Sequence, residues 1–158
     1  MDRASMEAIV AGVIKQLKQP VKMNLALATS LMEAVEAEAG RMGVKAVVAV
    51  ADGAGRPVAI HCMDGAYIGS FDVALNKTYT AVAFQMPTAK LAELAAPGGS
   101  LYGIQHTNGG KIVIFGGGDP LYVGDELVGS IGVSGGTAEQ DTRLSAYGTE
   151  IFQKLINQ

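Results

Sequence analysis

Cysteine is almost absent from this chain. Cys62, the one cysteine in 158 residues, cannot close an internal disulfide or build a thiolate-rich zinc site. With no charged partner beside it, Cys62 reads as a small buried hydrophobe. Basic residues number 12 against 15 acidic ones, for a net charge of −3. No basic patch or aromatic ladder is present, which argues against nucleic acid. No apolar run approaches the roughly 18 residues needed to span a bilayer. No charged-then-apolar leader with a small-residue cleavage site opens the chain. Cytosol, or a compartment inside it, is the expected location. Two histidines without a His-x-x-x-His pattern do not make a dedicated zinc site, and no Ser-His-Asp or Cys-His constellation can be assembled. The glycine clusters are followed by no Gly-Lys-Ser/Thr and lack the G-x-G-x-x-G spacing, so neither a Walker A loop nor a Rossmann fingerprint is present. There is no internal repeat and no low-complexity segment.

What remains is apolar and rich in glycine: 49% hydrophobic residues and 21 glycines, enough for one domain with a real core. Residues 3–18 form a short amphipathic helix, with Met6, Ile9, Val10, Val13, Ile14 and Leu17 at three- and four-residue spacing. Pro20 stops it. A second helix, from about Asn24 to Met42, carries its own stripe of Leu27, Leu31 and Val35 and ends at Gly43. The chain therefore divides into an N-terminal helix, 1–19, which binds a partner or directs targeting, and a domain, 20–158. A helix this short is marginal alone in water and needs a surface to fold against.

Val44–Ala51 and Pro57–Met63 are expected strands around the turn Asp52-Gly53-Ala54-Gly55. Gly69 to Phe84 reads as a helix, and Thr88 caps a short one to Ala95. A long irregular stretch follows with Tyr102, His106 and Asn108, the kind of segment in which binding groups are placed. Lys111–Phe115 is β-branched and aromatic, and Gly116-Gly117-Gly118-Asp119-Pro120 breaks it. Leu121–Val123 and Glu126–Ser134 flank the two-residue loop Gly124-Asp125. Ser134-Gly135-Gly136-Thr137 leads into a last helix, Thr137 to about Ile156, where Thr137 and Gln140 make a capping box. The order is α-α-β-β-α-(α)-β-β-β-α, with hairpins and hence an antiparallel sheet.

Four motifs carry a resemblance. Met63-Asp64-Gly65-Ala66, Ala74-x-x-Lys77-x-x-Thr80-Ala81, Gly116-Gly117-Gly118-Asp119-Pro120, and Gly129 to Gly136 (GSIGVSGG) with Asp141 together resemble the GlcG/HbpS family, which includes the C-terminal domain of PduO. The likeness covers about Leu25 to Leu155. It implies an α/β (α+β), profilin-like fold with a five-stranded antiparallel sheet flanked by helices. It also implies a homo-oligomer, from dimers up to octamers, and haem or a corrinoid as the cofactor in several members. Some members serve glycolate use or cobalamin-dependent metabolism in bacterial microcompartments, and the N-terminal helix resembles the encapsulation helices that bind microcompartment shell proteins. Relatives commonly have arginine where Cys62 precedes Met-Asp-Gly-Ala, so an anionic ligand held by that arginine would be held differently here.

The function expected is that of an accessory protein, binding a small molecule or tetrapyrrole, in the cytoplasm or a microcompartment lumen. The strand, glycine turn and helix start at Ser134, Gly135, Gly136 and Thr137 leave N–H groups for an anionic group, as do Gly116, Gly117 and Gly118; the same glycines also read as turns and points of close approach. Lys77, with small residues on its face, marks close approach by another element or a ligand, or a stem that snorkels. Asp64 pairs with Lys77 or caps the following segment, and the His106 loop closes the pocket. For haem, the axial candidates are His61, His106, Tyr102, Met63 and Met86, with His106 preferred. Two other functions stay open: an enzyme of small-molecule metabolism using Lys77 and Asp64, and an oligomeric scaffold that presents the N-terminal helix.

Overall fold

The computed structural model describes residues 2–17 and 20–158; the side chains of residues 15–17 also lie outside the described set, Leu17 of the N-terminal stripe among them. Helix α1 spans Arg3–Leu17. Its apolar stripe faces solvent: Met6, Ile9, Val10, Val13 and Ile14 are 46–54% exposed. Helix α2, Leu25–Arg41, starts where the Asn24 side chain accepts from the Leu27 N–H at 2.9 Å and ends at Gly43 (φ +71°). Strands β1 (Val47–Asp52) and β2 (Pro57–Cys62) form a hairpin, followed by α3 (Gly69–Phe84) and α4 (Thr88–Ala95). Two single-turn 3-10 segments, Ile104–His106 and Asn108–Gly110, lead to β3 (Gly118–Val123), β4 (Glu126–Ser134) and α5 (Ala138–Ile156).

The sheet is antiparallel with strand order β2-β1-β4-β3 and four strands, not the expected five. Lys111–Phe115 is the missing strand. Its backbone is held by a helix side chain instead of a ladder: the Thr80 hydroxyl on α3 accepts from the Val113 N–H at 3.0 Å and lies 3.4 Å from the Lys111 carbonyl. Conversely, Gly118-Asp119-Pro120, expected to break a strand, opens β3, pairing with Gly132, Ile131 and Ser130. Proline fits there because β3 is an edge strand, where a missing N–H costs no ladder bond.

Two helix layers cover the sheet. Val48 and Val50 of β1 join Leu31, Val35, Leu144 and Phe152 of α2 and α5 in the main core. Val47 and Ala49 face the other way, onto Ala74 of α3. That double burial explains why β1 is apolar at successive positions. The α5 capping box is present, with Thr137 Oγ1 accepting from the Gln140 N–H at 3.1 Å and Gln140 Oε1 accepting from the Thr137 N–H at 2.9 Å. Thr88 does not cap α4. Pro87 occupies that place, and the Thr88 hydroxyl accepts from the Gly118 N–H at 2.9 Å. Cys62 is exposed rather than buried, because β2 is the other edge strand and Cys62 is its last residue.

Candidate functional site

One end of the sheet collects most of the expected site residues. There β1 and β3 begin while β2 and β4 end: Val47 pairs with both Cys62 and Ser134, and Gly118 with Gly132. The helix starts of α3 and α5 lie at this end too, since the Ser134 hydroxyl meets that of Ser70 at 3.1 Å and Thr137 caps α5.

Lys77 is the centre of this region, and it is completely buried. Its ammonium donates to the Val133 carbonyl at 2.6 Å and to Asp141 Oδ2 at 3.1 Å, and lies 5.0 Å from the centre of the Phe115 ring. Asp141 Oδ1 in turn accepts from the Gly136 N–H at 2.9 Å. Lys77 therefore ties α3 to β4 and to the first turn of α5. The three glycines around it leave room for its stem and head. A Cβ on Gly117 would stand 2.6 Å from Lys77 Nζ, one on Gly118 2.8 Å from the Lys77 carbonyl, and one on Gly132 3.1 Å from Lys77 Cβ. Burial lowers the Lys77 pKa, and the charge and hydrogen bond of Asp141 pull it back up in part.

Close approach thus accounts for the small residues around Lys77, and the partner is Asp141, not Asp64. The N–H groups expected to greet an anion are engaged at three positions: Gly118 with Thr88, Gly136 with Asp141 and Thr137 with Gln140. An enclosed ammonium closes no open pocket, and an enzyme using Lys77 with Asp64 finds no solvent-reachable amine here. Asp141, Phe115 and Thr88 were not singled out as site groups from sequence; only Asp141 had a signal, its place in the fourth motif.

Asp64 lies on a separate feature at the same end. An open groove of about 470 Å³ is lined by Gly40, Gly43, Val44, Lys45, Met63 and Asp64. Lys45 is exposed, and its stem crosses Gly65, where a Cβ would stand 2.9 Å from Lys45 Cδ. Met63 Sδ accepts from the Ala46 N–H at 3.4 Å. Of the histidines, His106 is exposed on its 3-10 turn, while His61 is half-buried with Nδ1 2.6 Å from Glu36 Oε1. Among the described residues, no cluster of three or more His, Cys, Asp or Glu could hold a metal ion, and no helix is long and apolar enough to cross a membrane.

Comparison with known proteins places this geometry. The model of the family described as "Haem degrading protein HbpS-like" matches residues 23–150. The chain belongs to the HbpS-like family. It is 41% identical over 138 residues to a 15.0 kDa protein encoded in the dhaT-dhaS intergenic region of Citrobacter freundii, covering 87% of this chain and 97% of that one. It is 35% identical over 126 residues to the corrinoid adenosyltransferase PduO of Salmonella typhimurium, covering 80% of this chain but only 38% of PduO. Among solved structures, the Klebsiella pneumoniae protein ORFY superposes with a TM-score of 0.81 at 38% identity, covering 87% of this chain and 95% of ORFY. The structure described as the PduOC:heme complex superposes at 0.79 and 32% identity, covering 82% of this chain and 94% of PduOC. The HbpS-like match starts at residue 23, so α1 stands outside it.

Proposed function

We propose that this protein is a tetrapyrrole-binding accessory protein with haem as its ligand. The reading is carried by the likeness to PduOC, solved as a haem complex and covered over 94% of its length. The residues of this chain suit such a ligand: imidazole and thioether donors for iron in His61, His106 and Met63, and an exposed Lys45 ammonium for a carboxylate tail. Bound haem supplies a redox-active iron. The protein would supply axial donors and charge pairing. Small molecules retained by natively purified protein, identified by mass spectrometry, test this reading. Haem in the extract and a Soret band are expected. Protein that retains no tetrapyrrole and leaves the spectrum of added haemin unchanged would refute it.

The chain works as a homo-oligomer in this proposal. Tyr67 and Ile68 just before α3 and Phe71 in its first turn are 74%, 95% and 42% exposed, three apolar side chains within five residues for a second copy to cover. Light scattering at micromolar concentration should give a multiple of the 16.3 kDa chain mass, and Ile68→Glu should reduce it. Helix α1, whose described apolar side chains are exposed and which lies outside the family match, docks on a microcompartment shell protein, which puts the protein in that lumen within the cytoplasm. A fluorescent reporter fused to residues 1–19 should follow the shell, and diffuse fluorescence would refute the targeting role.

A further inference from the structure

His61 stands on the edge strand β2, directly across from Val48 of β1 and therefore on the sheet face covered by α2. Its Nδ1 lies 2.6 Å from Glu36 Oε1 on that helix. A carboxylate can only accept, so Nδ1 carries the proton, and in the neutral ring the lone pair sits on Nε2. Among the described residues, no other hydrogen bond engages the ring. An imidazole with one nitrogen fixed by a carboxylate and the other without a hydrogen bond is the arrangement of a metal-ligating histidine with its outer partner in place.

An open groove adjoins the pair, though neither His61 nor Glu36 lines it. Met63 follows His61 by two residues along the same side of the chain, and Gly40 follows Glu36 by one helical turn. Both line the groove of about 470 Å³ described above. Gly40 and Gly43 place no side chains on it, half-buried Met63 gives it apolar surface, and exposed Lys45 supplies a positive charge beside the carboxylate of Asp64. His106 has none of this support: it is exposed on a three-residue turn, and among the described residues no hydrogen bond orients its ring.

We propose that His61 is the axial ligand of the haem, with Glu36 as its positioning residue and Lys45 pairing with a propionate beside the Gly40–Met63 groove. This rests on the haem-binding reading and departs from the expectation that His106 is the ligand. Iron takes the Nε2 lone pair, while the Nδ1 proton stays shared with Glu36.

Haemin titration of the full chain tests it, read by the Soret band and by the iron–histidine stretch of the ferrous form. Wild type and His106→Ala should give the same band and the same affinity. His61→Ala should lose the iron–histidine stretch and bind haemin more weakly, and added imidazole should restore the ligated spectrum, which shows that the variant is folded. Glu36→Gln should shift the stretch to lower frequency and weaken binding by roughly tenfold to a hundredfold. Unchanged ligation in His61→Ala, or its loss in His106→Ala alone, overturns the assignment and leaves haem binding standing. A wild-type protein that does not bind haemin overturns both.

Discussion

Lys77 with Asp141 and His61 with Glu36 both set a basic group against a carboxylate, yet they differ in what they leave free. The Lys77 and Asp141 side chains are 0% and 4% exposed, those of His61 and Glu36 37% and 25%. In the first pair each charged group is consumed internally: Nζ by Val133 and Asp141, and Asp141 also by the Gly136 N–H. In the second, one ring nitrogen is fixed and, among the described residues, no hydrogen bond engages the other. A charge that is fully satisfied holds a fold together; a donor that is half satisfied can hold a ligand. The glycine-rich motifs that draw the eye belong to the first kind.

Breaking the enclosed pair should have the largest effect on the fold. Lys77→Met leaves Asp141 buried without its cation, a loss of about 3–5 kcal/mol, measurable by urea unfolding. Glu36→Gln, at the half-exposed pair, should cost under about 1 kcal/mol in the same assay. If the two variants lose equal stability, the distinction between staple and ligand donor collapses.

A smaller effect sharpens the picture of the same sheet end. Burial raises the Asp119 pKa above its ordinary value of 3.8, against a lowering by the Ser145 hydroxyl. Below the unfolded pKa the group is neutral in both states. As pH rises through the window from 3.8 to the raised folded value, the unfolded chain releases its proton first and folding stability falls. Asp119→Asn should therefore raise the melting temperature at pH 7, with the advantage fading as pH falls towards 4. A constant advantage across that range would contradict burial as the cause. The smallest effect belongs to α1. Removing residues 1–19 should leave the melting temperature of the body unchanged, since the described apolar side chains of that helix are exposed. A truncated protein that unfolds or aggregates would make α1 part of the core.

How much of this was legible in the sequence depended on whether the cause was local. Asn24 and Gly43 bound α2, Thr137 and Gln140 start α5, and Gly124-Asp125 closes the β3–β4 hairpin, because caps and tight turns are decided within a few residues. Lys111–Phe115 has strand composition, but its backbone partner is the Thr80 side chain, 31 to 33 residues away. Lys77 was recognisable as the informative charge from the small residues on its helix face. Its partner, 64 residues on, was not. Glu36 lies off the apolar stripe of α2, and nothing near it in sequence points to His61. The exposure of Cys62 follows from strand order, which alternation along a single strand does not contain.

Hydrogen-exchange mass spectrometry of the full chain, with and without one equivalent of haemin, compares the two regions in one experiment. The account predicts new protection in peptides covering residues 36–45 and 57–66, at the end of α2 and the β2 exit, and none in 111–118 or 134–141. Protection confined to the glycine-rich segments around Lys77, with the His61 region unchanged, would contradict it.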